Sequence, residues 1–389
     1  MNVPKLRFKE FTDEWKQTPL KNIIYSNIIE APKPTTDYIR LGIRSHCKGT
    51  FHELVKIENI LSADKMYIVP KNNLILNITF AWEQAIAITD DNDEGKYISN
   101  RFPTFAFKDN QLPTFYKYII PQKRLKYDLN VASPGGAGRN RVLNKKLFLS
   151  IPVNIPLLKE QEKIAKFLTT VDKKITNLEN IITSLENQKK GLLQQIFSQK
   201  LRFKDKNGNN YPNCEKKKLE DISNITMGQS PDSDFVNTEK IGTPFLQGNA
   251  EFTNKYPIEK YWCTKPQKIA NPTDILLSVR APVGAINIAN KKFCIGRGLS
   301  AISFNCNKLF GKYNLEFNLF QLIKKSQGST FSSINKKDIS EVILFIPCLE
   351  EQTKIADFLS AFDRKLENQK AQLEHWKQIK KGLLQQMFV

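Results

Sequence analysis

Two long segments of the chain carry apolar residues at alternating steps of three and four positions. The first stripe consists of Ile164, Leu168, Val171, Ile175, Leu178, Ile182, Leu185 and Leu192. The second stripe consists of Ile355, Leu359, Phe362, Leu366, Leu373, Trp376 and Leu383. A repeat of about 3.5 residues over about four heptads is typical of a coiled coil, and each segment follows a proline, a natural helix boundary. The pattern predicts two helices of about 40 residues, each roughly 60 Å long.

The two segments are copies of one another. Residues 155–168 recur as residues 346–359, and residues 189–197 recur as residues 380–388, both at an offset of 191. The blocks are therefore separated by the same length in both copies, as a helix of fixed geometry requires. Because the stripes match position for position, we expect the helices to pair within the chain, and a two-fold relation between the halves would make them antiparallel. In the alternative arrangement, each stripe packs on its own globular domain.

The segments that precede the two helices read as mixed α/β domains, here called head 1 and head 2. Short apolar runs predict strands at 66–69, 74–76, 85–88, 274–279 and 285–289, and short helices are predicted at 115–120 and 317–323. The expected fold class is α+β: two globular mixed α/β domains separated by two long helices that form an antiparallel coiled coil, with pseudo-two-fold symmetry. The expected boundaries are 1–155 for head 1, 156–198 for the central helix, 199–346 for head 2 and 347–389 for the C-terminal helix.

The charge of the chain is concentrated in the heads. Lys and Arg number 59 against 39 acidic residues, which gives a formal charge of +20. Residues 159–197 contain seven lysines and five acids, and residues 350–389 contain seven basic and six acidic residues. The helices are thus nearly neutral and the rest of the chain carries +17. Such a field attracts polyanions, nucleic acid above all, although a solvated basic surface is the plainer reading.

The loops of head 1 offer candidate DNA contacts. Residues 133–141 form a glycine-rich stretch in which Arg139 and Arg141 are suited to bidentate contacts with guanine. The alternative is an ordinary flexible loop. The stretch is followed by Lys145 and Lys146, in an Asn-Lys-Lys sequence that returns in head 2 with Lys336 and Lys337.

Head 2 has further candidates beside its predicted strands. Ser278, Arg280 and Arg297 are polar at strand ends, and Gln247 and Asn249 carry amides suited to adenine. Any one residue of this kind is more often a surface or structural residue than one that reads a base. Thr79 of head 1 falls where Arg280 sits in head 2, so we expect the two heads to read different sequences.

Motifs for chemistry are missing. The sequence contains no phosphate-binding G-x-x-x-x-G-K-[ST] loop and no N/D-P-P-Y/F motif of the kind found in amino-methyltransferases. Two E-x-K triplets, at 94–96 and 215–217, are of a kind that occurs by chance. His46, Cys47 and His52 are too sparse for a zinc site. No apolar run approaches a membrane span and no Cys-x-x-Cys pair occurs, so we expect a cytoplasmic protein with reduced thiols that reads DNA without modifying it.

At this point the chain resembles a known family. The twice-repeated I-P-x-L-x-E-Q-x-K-I-A-x-F-L and K-K-G-L-L-Q-Q-x-F motifs, each behind a divergent head, are similar to those of the specificity (S) subunit of type I restriction–modification systems. Residues 274–281 with Gly284 also resemble a segment of that family's target-recognition domains. Residues 73–80 of head 1 depart from it, so contacts do not transfer from one head to the other.

The resemblance implies a function. Each head would read one half of a bipartite, asymmetric site in double-stranded DNA, and the helices would set the spacer. The helices would also dock two modification (methyltransferase) subunits that use S-adenosylmethionine to methylate adenine N6. Two restriction (motor and nuclease) subunits would supply ATP- and magnesium-dependent cleavage. The chain itself would bind no cofactor and would act in the bacterial cytoplasm, near the nucleoid. The alternatives are a nuclease or methyltransferase with unrecognised motifs, and a basic coiled-coil scaffold that binds DNA without sequence preference.

Overall fold

The computed structural model describes residues 3–59, 65–135, 141–253, 256–326 and 333–389. The chain divides into two compact units, which are Met1–Leu178 together with Gln372–Val389 and, second, Glu179–Ala371. Each unit contains one head, the start of the long helix that follows this head and the end of the other long helix. Residue Arg139, from the glycine-rich stretch of head 1, lies outside the described residues.

Head 1 contains eleven strands and three short helices within its described part. The strands are β1 (Lys16–Pro19), β2 (Ile24–Ser26), β3 (Ile29–Ala31), β4 (Tyr38–Ile43), β5 (Thr50–Val55), β6 (Met66–Ile68), β7 (Leu74–Leu76), β8 (Ile86–Ile88), β9 (Tyr97–Ile98), β10 (Thr104–Phe107) and β11 (Pro152–Ile155). The helices are α1 (Pro113–Ile119), α2 (Lys123–Val131) and α3 (Lys145–Ser150). The first long helix, α4, follows at Leu158–Phe197.

Head 2 also contains eleven strands and three α-helices in its described part, but one of these helices follows its first strand. Its strands are β12 (Glu215–Lys218), β13 (Ser223–Met227), β14 (Val236–Asn237), β15 (Thr243–Leu246), β16 (Tyr261–Cys263), β17 (Ile269–Ala270), β18 (Ile275–Ser278), β19 (Ile286–Ile288), β20 (Phe293–Ile295), β21 (Leu299–Phe304) and β22 (Ile343–Ile346). Its helices are α5 (Leu219–Ile222), α6 (Lys308–Ser326) and α7 (Lys336–Ser340). The second long helix, α8, is Leu349–Gln386.

Each head is built on a four-stranded and a five-stranded sheet. The four-stranded sheets have the matching antiparallel orders β2-β10-β7-β8 and β13-β21-β18-β19. In the five-stranded sheets a parallel pair, β9 with β4 or β20 with β15, is flanked by antiparallel strands. The fifth strand differs: β3 extends the sheet beside β6 in head 1, whereas β14 extends it beside β16, at the opposite edge, in head 2. A small two-stranded sheet, β1 with β11 or β12 with β22, completes each head.

An inner strand of each four-stranded sheet, β7 or β18, is buried on both faces. In β18, Ile275 and Leu277 belong to the core shared with the helices, whereas Leu276 belongs to the core shared with the second sheet. In head 1, Leu74 and Ile75 divide in the same way between two cores. Successive side chains of a strand point to opposite faces, so a strand between two apolar layers reads as a continuous apolar run. The expected mixed α/β heads are confirmed.

The long helices α4 and α8 pack together, and all fifteen stripe positions are buried or half-buried. In the second unit, Lys189 Nζ lies 2.6 Å from Asp363 Oδ1 and Lys370 Nζ lies 2.7 Å from Glu186 Oε1. From the first pair to the second, the residue number rises from 363 to 370 on α8 and falls from 189 to 186 on α4. The helices therefore run antiparallel there. The stripes also enter the head cores: Ile164 and Leu168 share one with head 1, and Ile355 shares one with head 2. Pairing and packing on a head therefore occur together.

Candidate nucleic-acid interface

Within each unit, the repeated motif at the start of the head contacts the repeated motif at the start of the long helix that follows it. In the first unit, the Arg7 guanidinium donates to both carboxylate oxygens of Glu160, each at 2.7 Å, and to the carbonyl of Asp13. The Glu160 side chain is only 3% exposed, and its hydrogen bonds raise the pKa of Arg7. Phe8 meets Phe167 edge to face at 5.8 Å. The start of head 1 is thereby fixed to the first turns of α4.

The second unit repeats these contacts. Arg202 donates to the two oxygens of Glu351 at 2.8 and 2.6 Å and to the carbonyl of Pro212. Phe203 meets Phe358 at 5.5 Å. Bidentate pairs between Arg and a carboxylate fix orientation as well as adding energy. The Lys-Leu-Arg-Phe-Lys sequence, at 5–9 and again at 200–204, therefore binds the Glu-Gln sequence in the long helix that follows each head. The similarity of the two halves in sequence did not reveal this contact.

Each unit also joins a head tyrosine to both long helices. Tyr118 donates to Asp172 at 2.9 Å, and Lys380 of α8 lies 2.7 Å from the same carboxylate. Tyr313 donates to Asp363 at 2.7 Å, and this carboxylate is the partner of Lys189. Burial, reinforced by the hydrogen bond to Asp363, raises the pKa of the Tyr313 phenol. The phenol therefore stays protonated and donates this hydrogen bond. Lys189 falls between Leu185 and Leu192, and Lys380 between Trp376 and Leu383, at positions where the stripes have no apolar residue. These ion pairs account for a charged residue at each position.

A glutamine closes the junction between head and helix. Gln161 donates to the Pro156 carbonyl at 3.0 Å and accepts from the Leu112 amide at 3.0 Å. Gln352 donates to Pro347 at 2.9 Å and accepts from Asn307 at 3.1 Å. The proline that precedes each helix therefore has its carbonyl satisfied by the helix itself. Together these contacts form a frame that is the same in both units.

The loops that this frame holds converge in head 2. The Val279 amide donates to the Gly298 carbonyl at 2.9 Å, and the Ile334 amide donates to the Val279 carbonyl at 3.0 Å. Arg280 forms an isolated β-bridge with Ser333. A Cβ at Gly298 would lie 2.7 Å from the Gln247 carbonyl oxygen, so only glycine permits this approach. Backbone contacts thus bring the segments of Gln247, Arg280 and Arg297 beside the start of α7.

The cations in this cluster are available to a ligand. Arg280 and Arg297 are exposed, and neither guanidinium has an ion-pair partner within the described ranges. Gln247 is exposed just after β15, and Asn249 begins a short 3-10 helix at Asn249–Glu251. Two unpaired arginines with adjacent amides can offer donors to base edges or phosphates.

Ser278 does not belong to this surface. It is 1% exposed, its hydroxyl donates to the Pro282 carbonyl, and the Ala285 amide donates to the hydroxyl at 3.3 Å. The side chain closes the turn that follows β18. The expectation that Ser278 contacts DNA is therefore replaced by a structural role.

The shared Asn-Lys-Lys sequence begins a short helix in each head. Asn144 accepts from the amides of Lys146 and Leu147 at 2.9 and 3.2 Å, and Asn335 accepts from the Asp338 amide at 3.0 Å. These asparagines are therefore N-caps. Their lysine neighbours, Lys145, Lys146, Lys336 and Lys337, are exposed. Cations at a helix N-terminus oppose the backbone dipole, so helix stability does not account for the pair.

Head 1 presents different chemistry at the equivalent place. The Leu143 amide donates to the Ile78 carbonyl at 2.8 Å, the counterpart of the Ile334 contact in head 2. Thr79 then occupies the position of Arg280, and its hydroxyl donates to Asn77 at 2.7 Å. Arg141 donates to the Ser133 and Asn130 carbonyls at 2.9 and 2.7 Å, and its guanidinium lies 5.2 Å from the centre of the Trp82 ring. The surface of head 1 thus has a fixed arginine–tryptophan pair instead of free arginines.

The described residues contain neither a membrane-spanning helix nor a cluster of metal-binding side chains. No helix in that part of the chain combines the length and the hydropathy needed to cross a bilayer. No group of three or more His, Cys, Asp or Glu side chains there is placed to hold a metal ion. His52 instead pairs with the buried Asp93 at 2.9 Å.

Comparison with known proteins gives consistent matches. The model of the type I restriction modification DNA specificity domain matches residues 17–187 and 212–375. A putative type I restriction enzyme MjaX specificity subunit of Methanocaldococcus jannaschii is 36% identical over 410 residues, covering 98% of this chain and 95% of that protein. The MjaVIII specificity subunit of the same organism is 23% identical over 375 residues, covering 91% and 84%.

Solved structures share the fold. The S subunit of a type I restriction–modification system from M. genitalium is similar with a TM-score of 0.62 at 14% identity, covering 100% of this chain and 99% of that one. A chain from a study of assembly and conformational transition of the type I R-M system is similar with a TM-score of 0.60 at 24% identity, covering 96% and 97%.

Proposed function

Because the chain belongs to the family of type I restriction–modification DNA specificity subunits, we propose that each head reads one half of a bipartite, asymmetric DNA site. As the specificity subunit, the chain is the non-catalytic, DNA-recognising component of such a system. One observation supports two unlike half-sites: the contacts that fix each head to the helices are the same, whereas the loops that the heads expose differ. The same contacts hold both heads, yet Arg280 in one head is replaced by Thr79 in the other.

The proposed DNA contacts lie on the converging loops; of those that the structure describes, Asn249 and Arg141 are half-buried and the others are exposed. In head 2 they are Arg280, Arg297, Gln247, Asn249, Lys336 and Lys337. In head 1 they are Arg141, Lys145 and Lys146, with Arg139 kept as a proposal from the sequence. Arg141 uses one edge of its guanidinium inside the protein, so its outer edge, with Nη1, is the part that would face DNA. Its internal bonds restrict the side chain before DNA arrives, which lowers the entropy that binding removes.

The partners are proposed from the family. Two modification subunits would dock on the long helices, bind S-adenosylmethionine and methylate adenine N6. Two restriction subunits would bring ATP and magnesium, and the assembly would act in the cytoplasm. A frame whose helix residues repeat at an offset of 191 suits a partner present in two copies, since each copy would meet the same contacts.

Enrichment from a randomised duplex pool tests the reading function. The full-length chain with its modification subunits should enrich two short, unlike motifs at one fixed gap. Absence of any paired motif with all partners present would contradict the proposal and favour non-specific binding. Modification or cleavage of DNA by the purified chain alone would instead indicate an enzyme with unrecognised motifs.

The helices are proposed to set the gap between the half-sites. Ser184 lies on α4 and is exposed, so one helical turn of residues inserted there lengthens the helix. We expect the preferred gap in the enriched sequences to change while both motifs stay the same. An unchanged gap in a variant that retains its helical circular dichroism would contradict the role of the helices as a ruler.

A further inference from the structure

Head 1 carries a basic and aromatic depression whose lining includes only one of the DNA contacts proposed above, Arg141. It is an open cavity of about 420 Å³, lined by Trp82, Tyr127, Lys123, Lys126, Arg141 and three further polar residues, His46, Glu83 and Asn130. All of these residues belong to the first unit. The cavity lies beside the loop of Thr79, because the Trp82 indole donates to the Thr79 carbonyl at 3.2 Å.

One helix supplies half of the lining. Lys123, Lys126, Tyr127 and Asn130 of α2 are spaced as i, i+3, i+4 and i+7, so they share one face of the helix. All four are exposed, and the Tyr127 side chain is 61% exposed. A large aromatic side chain so open to water gains little from burial within the fold.

The charge of this face is positive and unpaired. Neither Lys123 nor Lys126 has a carboxylate partner in the described part of the chain, whereas the nearby Arg124 is paired with Asp128 at 3.0 Å. The one carboxylate in the lining, Glu83, accepts a hydrogen bond from Ser45 at 2.7 Å. Arg141, held against Trp82, adds a third cation that cannot swing away.

We propose that this surface, defined by Lys123, Lys126, Tyr127, Trp82 and Arg141, grips the sugar–phosphate backbone of duplex DNA next to the half-site of head 1. The lysines and the outer edge of Arg141 contact phosphate, and the rings of Trp82 and Tyr127 pack against the deoxyribose. Point charges on flexible stems carry no base information, so the surface positions DNA and does not select sequence. This inference rests on the proposed function in one respect only, which is the location of the half-site.

The described part of head 2 does not contain a copy of this surface. There Lys325 at the end of α6 is paired with Glu341 at 2.8 Å, and Phe320 and Ile323 are exposed apolar residues of the same helix. The two heads are therefore expected to differ in how strongly salt weakens their hold on DNA.

The test compares a Lys123→Gln/Lys126→Gln double variant with Lys117→Gln, which removes one exposed lysine from the neighbouring helix α1. Both are made in the full-length chain with its modification subunits. The affinity is measured from low to high salt on a duplex enriched by the wild type and on a scrambled duplex of equal length. We expect the slope of log affinity against log salt to fall in magnitude by about 1–2 on both duplexes for the double variant, and to stay the same for Lys117→Gln.

A second pair of variants addresses the rings. Tyr127→Ala should weaken binding to both duplexes several-fold, whereas Tyr127→Phe, which keeps the ring, should not. Unchanged slopes in the double variant would overturn the inference, as would an altered base preference in the half-site of head 1. If the slopes fall but the wild type binds the two duplexes equally, this surface stands and the sequence-reading function fails.

Discussion

Glu160 and Glu351 are the residues whose loss should matter most to stability. Each is almost completely buried, with side chains 3% and 1% exposed, and each receives a bidentate arginine. Breaking a buried pair by removing one charge leaves the other uncompensated. We expect Glu160→Gln to lower the free energy of unfolding by about 3 kcal/mol or more, as seen in urea denaturation.

Hydrogen exchange locates that effect. Exchange should accelerate in the first unit for Glu160→Gln and in the second unit for Glu351→Gln. The matched control is Glu30→Gln, which breaks an exposed pair with Lys65 and should leave the free energy of unfolding almost unchanged, because exposed ion pairs contribute little. Equal effects of the control and Glu160→Gln would contradict the role assigned to the frame.

Cys47 and Cys294 should be unreactive in the native protein. Burial raises the pKa of Cys47 to about 12, and burial together with the neighbouring Cys263 raises the pKa of Cys294 to about 12. The thiolate is the reactive form, so at pH 8 only roughly one molecule in ten thousand would carry it at either site. Mass spectrometry after iodoacetamide treatment should find both unmodified in the native chain and modified after unfolding. Rapid labelling of Cys294 in the native chain would contradict the described packing.

At the scale of elements, the Tyr–Asp–Lys contacts should stabilise each helix pair. Asp363→Asn removes the charge that faces Lys189 and weakens the acceptor of Tyr313. Hydrogen bonds to charged groups contribute about 1.5–3 kcal/mol, so we expect a loss of about that size in thermal or urea unfolding. Glu367→Gln, an exposed carboxylate one turn later on α8, is the control and should have no measurable effect.

The elements differ in how far the sequence could predict them. The stripes of α4 and α8 were predictable because each repeats a 3.5-residue period in register with its copy. The strand β7 was predictable because burial on both faces makes it apolar throughout. The start of α6 at Lys308 was missed, since the short helix was expected at 317–323. Its buried face mixes Phe310 and Tyr313 with Asn314 and Asn318, which blurs the apolar period.

Site residues were less predictable because their environment depends on distant contacts. Ser278 follows a strand and looks available in sequence, yet the turn through Pro282 and Ala285 encloses its hydroxyl. In sequence, Arg141 was a candidate for contact with a base, yet its guanidinium is held by two backbone carbonyls and by the Trp82 ring. Asn144 and Asn335 signalled their caps through the matching Asn-Lys-Lys sequences, but the lysines beside them carry no local sign of a ligand.

At the scale of the whole molecule, the two heads should read DNA independently. Arg280→Thr gives head 2 the residue that head 1 has at the equivalent place. If Arg280 contacts a base, preference at one position of the head 2 half-site should fall by about 1–3 kcal/mol, measured by enrichment of randomised duplexes. The motif of head 1 and the gap should not change. A uniform loss of affinity with all preferences intact would assign Arg280 to a phosphate instead.

The fifth strand of each large sheet leaves room for new specificity. Head 1 ends at β5 where head 2 adds β14, and head 2 ends at β17 where head 1 adds β3. The arginine, tyrosine and glutamine that fix a head to its helices all lie outside the strands of this sheet. A segment joined at the unextended edge would therefore reshape the outer surface while the attachment stayed the same. Within this architecture a head can acquire a new target by growth at its margin, without being refolded or replaced.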